Sequence, residues 1–175
     1  TCLKCSVFIR IGHLKIIIGI DVVLMKEKII AVIPTHNRAK MLKECIDSLL
    51  NQSYPLKKIV VIDADSTDNT NDIINSYGSI VDTIHGVGNW WWATCMNAGI
   101  EYGLSKGADY ILAMNDDTFL ETNALEYLLE SNQKYKGAII GGIVMDKEKS
   151  GQMINKGYGA KYTKYRWYPY KKVVG

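Results

Sequence analysis

The 175-residue chain holds only 3 prolines and 15 glycines, too few for a collagen-like repeat or a disordered tract. It also lacks an uninterrupted apolar run long enough for a bilayer. Val7 to Leu24 is rich in Ile, Val and Leu, but Arg10, His13, Lys15 and Asp21 break the stretch, whereas a spanning helix needs about 20 mostly apolar residues. Asp21 alone would cost ~3 kcal/mol near the bilayer centre. No small-residue cleavage site follows, so neither a membrane span nor a signal peptide is expected. Cysteine is scarce as well. Cys2 and Cys5 have metal-ligand spacing, but Cys45 and Cys95 stand apart and no histidine pair follows. Zinc is therefore not expected, and free thiols in a reducing compartment are. There is no internal repeat, low-complexity stretch or interdomain linker.

What is present is an ordinary globular composition, 47% hydrophobic and 22% charged, in a chain long enough to bury roughly 70% of the surface its unfolded form exposes. The net charge of +3 conceals an asymmetry. Residues 1–24 carry three basic side chains against Asp21, residues 25–149 carry 12 basic and 17 acidic ones, and residues 150–175 carry six basic and no acidic ones. An acidic middle argues against a nucleic-acid partner. Met25-Lys-Glu-Lys28 ahead of a clean strand reads like an ordinary start, so residues 1–24 read as an N-terminal extension. Residues 25–149 read as the working domain and residues 150–175 as a basic, Tyr-rich end, either a hairpin against the sheet or a loosely held terminus.

From Ile29 short β-branched runs alternate with helix-period segments. Strands are expected at Ile29–Pro34, Ile59–Ile62, Ile80–Ile84, Tyr110–Met114 and Ala138–Val144. Helices are expected at Arg38–Gln52, Asn69–Tyr77 (capped by Ser66 or Thr67), Ala93–Leu104 and Glu121–Asn132. This β-α alternation implies an α/β fold with a mostly parallel sheet and helices on both faces.

In such sheets ligands bind beyond the carboxyl ends of the strands, and four polar loops fall there. Asn115-Asp116-Asp117 leaves an apolar strand, so two carboxylates repel one another unless a cation intervenes. Hard oxygen ligands of this kind suit Mg²⁺ or Mn²⁺ held with substrate phosphates; the plainer reading is that they cap the next helix. Asp63 stands at a strand tip and can accept hydrogen bonds from a base or ribose, whereas Asp68 reads as a structural cap. Thr35, His36 and Asn37 add donors and Arg38 a cation, although His36 reads equally well as a loop-packing residue. Of Trp90, Trp91 and Trp92, one or two are expected in the core and at least one along the cleft, offering a flat face to a sugar or base.

Together these residues resemble the family 2 glycosyltransferases, inverting enzymes of the GT-A, Rossmann-like fold, in the style of rhamnosyltransferase-like members. The resemblance runs from about Lys28 to Met145. It is carried by Val32-Ile-Pro-Thr-His-Asn-Arg38, Asp63-Ala-Asp-Ser-Thr-Asp68, Gly88-Asn-Trp-Trp-Trp-Ala93 with Met96-Asn-Ala-Gly-Ile100, and Leu112-Ala-Met-Asn-Asp-Asp-Thr118. Two positions depart from the family pattern: Ala64 in the acidic loop and Asn115 at the first position of the metal motif.

The resemblance implies a nucleotide-diphosphate-sugar site on Pro34, Thr35, His36, Asn37, Arg38, Asp63, Asp65, Asn89, Trp92, Asn97, Asn115 and Asp116. It also implies Mn²⁺ or Mg²⁺ on Asp117, with Asp116 beside it. The implied reaction is an SN2-like displacement at the anomeric carbon, with the cation steadying the leaving diphosphate and a carboxylate base deprotonating a saccharide or lipid-linked acceptor. In the family that base lies well downstream of the metal motif; no acid follows Glu148 here, so no base is assigned and weak or absent transfer by this chain alone is expected. The setting implied is cell-surface polysaccharide synthesis in the cytoplasm; the basic, Tyr-rich end itself reads either as a solvated face or as peripheral contact with the inner face of the membrane. Two other readings are a nucleotide-sugar-binding module without transfer activity, and a nucleotidyltransferase. The latter is disfavoured because Pro34–Arg38 lacks a glycine-rich phosphate loop.

Overall fold

The computed structural model describes residues 27–135 and 138–142 with their side chains; a further six strands outside these stretches are described by backbone alone. Two of these precede the main sheet: β1 (Lys4–Ile11) and β2 (Leu14–Asp21) pair antiparallel, with Lys4 opposite Asp21 and Ile11 opposite Leu14. The side chains of Cys2 and Cys5, and Met25 itself, lie outside the described residues.

The main chain of elements then runs β3 (Ile29–Thr35), α1 (Ala39–Leu50), β4 (Lys58–Asp63), α2 (Thr70–Ser76), β5 (Val81–His85), α3 (Trp92–Ser105), β6 (Tyr110–Ala113) and α4 (Ala124–Lys134). Strands β5-β4-β3-β6 form one parallel sheet in that order. The sequence reading of an α/β fold with helices on both faces holds, because side chains alternate across the central strands. Ala31, Ile33, Ile59 and Val61 pack under Leu42, Cys45, Ile46 and Leu49 of α1 and Ile74 of α2. Ile30, Val32, Val60 and Ile62 face Cys95 and Met96 of α3 on the other side. Both faces are buried from Ile29 to Ile33 in β3 and from Ile59 to Asp63 in β4, which is why each reads as a continuous β-branched run.

Helix α3 sits unusually close to the sheet. A Cβ on Gly99 would lie 2.3 Å from Val32 Cγ1 and 2.6 Å from Ile62 Cδ1, and one on Gly103 would lie 2.6 Å from Ile111 Cδ1. The two glycines are four residues apart, hence on one helix face. They let α3 lie against β3, β4 and β6, which brings its N-terminal tryptophans to the strand ends.

Two expectations are corrected. The fifth strand does not join the parallel sheet. Ala138–Val144 divides into β7 (Ala138–Ile139) and a separate β8 (Val144–Met145), the break falling at Gly141 and Gly142, which have no side chains to bury. β7 pairs antiparallel with β10 (Gly159–Thr163), itself paired with β11 (Arg166–Tyr170), and β8 pairs with β9 (Met153–Asn155). The basic end thus contains the hairpin foreseen as one alternative, but its side chains, and with them any membrane contact, lie outside the described residues. The second correction concerns the cap of α2: neither Ser66 nor Thr67 caps it, and Asp68 provides the hydrogen bond to its first turn.

Candidate functional site

The carboxyl ends of β3, β4, β5 and β6 lead into loops that meet one another through polar side chains. Thr35 ends β3 with a buried hydroxyl that donates to Asp116 Oδ2 at 2.8 Å. Asp116 is also buried, and its Oδ1 accepts from Arg38 Nη1 at 3.1 Å. The same Nη1 lies 3.2 Å from Asp117 Oδ2, so one half-exposed guanidinium is shared by two adjacent carboxylates. The charge of Asp116, then its hydrogen bond, hold the Arg38 pKa above its ordinary value, with Asp117 adding to both effects. Arg38 is thus the counter-ion that lets two acidic groups stand side by side in this structure.

Asn37 clasps two loops together. It adopts φ 52°, a left-handed conformation that asparagine tolerates better than most residues. Its N–H donates to Ser66 Oγ at 2.9 Å, while its Oδ1 accepts from the backbone of Thr67 at 2.7 Å and of Asp68 at 3.2 Å. That arrangement turns Nδ2 toward His36 Nε2, 3.1 Å away. His36 Nδ1 lies 2.7 Å from the Ala64 carbonyl; a carbonyl only accepts, so Nδ1 carries the proton and Nε2 accepts from Asn37. Asp68 completes the frame. One oxygen accepts from Thr70 N at 3.0 Å and the other from Ala39 N at 3.2 Å, so one carboxylate serves the first turns of both α1 and α2. The Thr70 hydroxyl bond leads in holding its pKa below the ordinary value. Asp68 is therefore structural, as its sequence position suggests.

Asp63 ends β4 fully buried, with Oδ1 accepting from Ser66 N at 3.0 Å and Oδ2 3.9 Å from the exposed His85 ring. Asp65, at φ 65°, is exposed and lies against the loop after β5: a Cβ on Gly88 would be 3.2 Å from its Oδ2. The three tryptophans diverge. Trp90 is half-buried on the α3 side of the core and covers Gly86, whose Cβ would come within 2.7 Å of the indole. Trp91 is 81% exposed and Trp92 57% exposed. Trp92 turns to the site, donating from Nε1 to Asn115 Oδ1 at 2.9 Å. Pro34 is half-buried, and Asn89 and Asn97 are exposed with no polar contact to the strand-end cluster given by the described residues.

Among the described residues no three His, Cys, Asp or Glu side chains converge as a protein-only metal cage. Mg²⁺ and Mn²⁺ do not require one, being held by one or two carboxylates together with phosphate oxygens. The residues present fit that mode. Asp117 offers a half-exposed hard oxygen donor, whereas both oxygens of Asp116 are already engaged by Thr35 and Arg38. Beneath them the buried Cys45 thiol donates to the Asn115 carbonyl at 3.6 Å. Burial first, then the charges of Asp116 and Asp117, push its pKa up to about 12, so it remains a thiol.

The sequence reading named the residues of this rim but not their mutual contacts. It missed Ser66 as the acceptor that ties Asn37 across the loops, and Gly99 and Gly103 as the close-packing face. The signal for the latter was present, as two glycines at helical i, i+4 spacing.

The family model of glycosyl transferase family 2 matches residues 30–173. The chain belongs to this family. Among curated relatives, the glycosyltransferase GlyG of Streptococcus pneumoniae serotype 4 is 30% identical over 121 residues, covering 67% of this chain and 39% of GlyG. The poly(ribitol-phosphate) beta-glucosyltransferase of Bacillus spizizenii is 33% identical over 104 residues, covering 56% of this chain and 16% of that enzyme. The chain thus spans well under half the length of either relative. Among solved structures, the mannosyltransferase PcManGT of Pyrobaculum calidifontis, in complex with GDP-Man and Mn²⁺, superposes with a TM-score of 0.56 at 19% identity, covering 72% of this chain and 38% of that one. TarS of S. aureus, residues 1–349 in complex with UDP-GlcNAc, gives 0.57 at 18% identity, covering 71% and 37%. At these identities the likeness is one of fold. The same architecture extends to 4-diphosphocytidyl-2C-methyl-D-erythritol synthase, TM-score 0.52 at 18% identity, covering 82% of this chain and 72% of that one. Sequence, rather than architecture, separates a glycosyltransferase from such relatives.

Proposed function

We propose that this chain is the donor-binding part of an inverting glycosyltransferase that moves a sugar from a nucleotide-diphosphate sugar to a saccharide or lipid-linked acceptor in cell-surface polysaccharide synthesis. One observation carries the reading: in a family 2 chain, an exposed Asp117 stands beside an anchored Asp116 at a strand end, and the two share Arg38 as counter-ion. Asp117 is the residue to hold Mn²⁺ or Mg²⁺, with Asp116 beside it; when bound, the cation supplies positive charge to the diphosphate that departs. Arg38 is placed to donate to diphosphate oxygens. Asp63, buried at the tip of β4, accepts hydrogen bonds from base or ribose, and Asp65 with the loop around Asn89 closes over the same end. Pro34, Thr35, His36 and Asn37 shape the floor, while Trp92, Asn97 and Asn115 border the sugar side.

Calorimetry tests this reading. UDP-GlcNAc or GDP-mannose is expected to bind in the presence of Mn²⁺ and to lose that binding in Asp117→Ala; binding indifferent to both the metal and the substitution would overturn it.

A second reading, binding without transfer, is separated from the first by a transfer assay on this chain. The six basic side chains of residues 150–175 support peripheral contact with an anionic membrane face, each worth ~1 kcal/mol close to such lipid. No helix among the described residues is long and apolar enough to cross a membrane. If removing residues 150–175 leaves sedimentation with anionic liposomes unchanged, the membrane contact falls.

A further inference from the structure

The first position of the acidic motif is an amide where an acid is the usual choice, and the tryptophan triplet has a member whose indole leaves the core. The structure joins these two features. Trp92 Nε1 donates to Asn115 Oδ1 at 2.9 Å. An indole nitrogen only donates, so this contact fixes which arm of the amide is oxygen. Oδ1 faces Trp92, and the two N–H groups of Nδ2 occupy the other arm.

Both partners are held from behind. Trp92 opens α3, whose Gly99 and Gly103 seat the helix against β3, β4 and β6, and Trp91 O accepts from Thr94 N and Cys95 N in the first turn. Asn115 has its carbonyl held by the Cys45 thiol and by Thr118 N at 3.3 Å, and Met114 N before it donates to Val32 O at 3.1 Å. The bond therefore ties the α3 side to the end of β6. A third carboxylate at position 115 would join Asp116 and Asp117, which already share one guanidinium. An amide whose Oδ1 is taken by Trp92 instead keeps two N–H donors at the position next to those carboxylates in the chain, a polarity suited to an oxygen-rich anion.

We propose that Trp92 is a positioning residue for Asn115, orienting the amide so that its NH₂ group donates a hydrogen bond to an oxygen of the bound nucleotide sugar, and that Asn115 is not a metal ligand. This rests on the donor-binding reading above. The oxygen belongs either to the diphosphate or to the sugar, and nucleoside diphosphates tested beside the matching nucleotide sugars distinguish them.

The deciding variant is Asn115→Asp, which still accepts from the indole but turns an oxygen, not an NH₂, toward the ligand. With MnCl₂ present, its affinity for UDP-GlcNAc or GDP-mannose is expected to fall about tenfold or more by calorimetry. An equal fall for UDP or GDP assigns the contact to the diphosphate, and a fall confined to the sugar nucleotides assigns it to the sugar. Trp92→Phe is expected to weaken binding by several-fold in wild type and to add nothing in an Asn115→Ala background. Independently of any ligand, the Trp92 indole proton is expected to be protected from solvent exchange in wild type and in Asn115→Asp, and exposed in Asn115→Ala. Unchanged or tighter binding by Asn115→Asp, as an added metal ligand would give, overturns the proposal, as does an indole proton equally exposed in wild type and Asn115→Ala. If wild type binds none of the four nucleotides while the indole proton is protected, the donor-binding reading fails instead, and the role assigned to the NH₂ falls with it.

Discussion

The two ends of the parallel sheet handle charge in opposite ways. At the amino end Asp82 and Asp109 each have donors of their own. Asp82 accepts from Lys58 Nζ at 3.0 Å and from Tyr102 OH at 2.9 Å, and Asp109 accepts from Lys28 N at 2.8 Å. Lys106 lies over the Tyr102 ring, 5.0 Å from its centroid. At the carboxyl end Asp116 and Asp117 share one guanidinium, and among the described residues Asp63 has a backbone N–H and a distant histidine as partners. A fold that needed only stability would balance both ends alike; surplus negative charge gathered at one end supports the proposed cation and donor site there. On the proposed reading the amino end holds the sheet together and the carboxyl end binds.

The largest break in this comparison is expected from Asp116→Ala. Its carboxylate is buried and serves both Thr35 and Arg38. Removing it leaves a buried hydroxyl without its acceptor, a loss of about 2–3 kcal/mol to be read from urea unfolding. Asp117→Ala removes a half-exposed neighbour and is expected to stay within about 0.5 kcal/mol of wild type while abolishing metal-dependent binding. If the two variants prove equally destabilising, the division of labour between anchored and exposed carboxylate is wrong.

A smaller effect sharpens the other end. Tyr102→Phe deletes one hydrogen bond to Asp82 and is expected to cost about 1 kcal/mol with nucleotide affinity unchanged. The pH dependence follows from Asp82 itself. Burial pulls its pKa upward, but the hydrogen bonds of Lys58 and Tyr102 and the charges of Lys58 and Lys106 outweigh burial, leaving it below the ordinary carboxylate value. Stability from this group is therefore present above the unfolded-state pKa of about 3.9 and is lost as pH falls through the folded value. Urea unfolding from about pH 5 downward is expected to show a shallower decline in Asp82→Asn than in wild type; parallel declines would remove Asp82 from the account.

How much of this was legible in the sequence depends on the range of the interaction. Local patterns carried well: the β-branched runs of β3 and β4 and the apolar stripe of α1 announced a doubly covered sheet, and the placement of polar residues after strands located the rim. The capping chemistry was legible as a need but assigned to the wrong side chain, because Ser66 and Thr67 lie nearer the strand while Asp68 alone reaches both α1 and α2. Ala138–Val144 read as a strand because five of its seven residues are apolar, yet the two glycines at its centre deny it a continuous buried face. What could not be read were pairings across about 80 positions. Thr35 and Asp116 are 81 residues apart, and nothing local says that the hydroxyl faces the carboxylate rather than a ligand. The Trp92–Asn115 bond spans only 23 positions, yet nothing local says that the indole faces the amide.

The smallest expected effect probes the surplus charge from below. Cys45 is free and buried under Asp116 and Asp117, and Cys95 is free and buried on the opposite face of the sheet. Burial is the leading cause that raises both thiols, with Asp116 and Asp117 adding to Cys45 and Asp63 to Cys95. Cys45 therefore keeps its proton until about 12 in the folded chain, whereas an unfolded cysteine ionises near 8.5. Its contribution to stability is complete below that unfolded value and is lost as pH rises from there toward the folded one. At pH 8 both cysteines are expected to resist iodoacetamide in the native protein and to react once it is unfolded in urea, with peptide mass mapping as the readout. Because desolvation outranks charge, Asp117→Asn is expected to quicken Cys45 labelling only slightly and to leave Cys95 unchanged. A large acceleration at Cys45 would mean that the paired carboxylates, rather than burial, set the electrostatics beneath the carboxyl end.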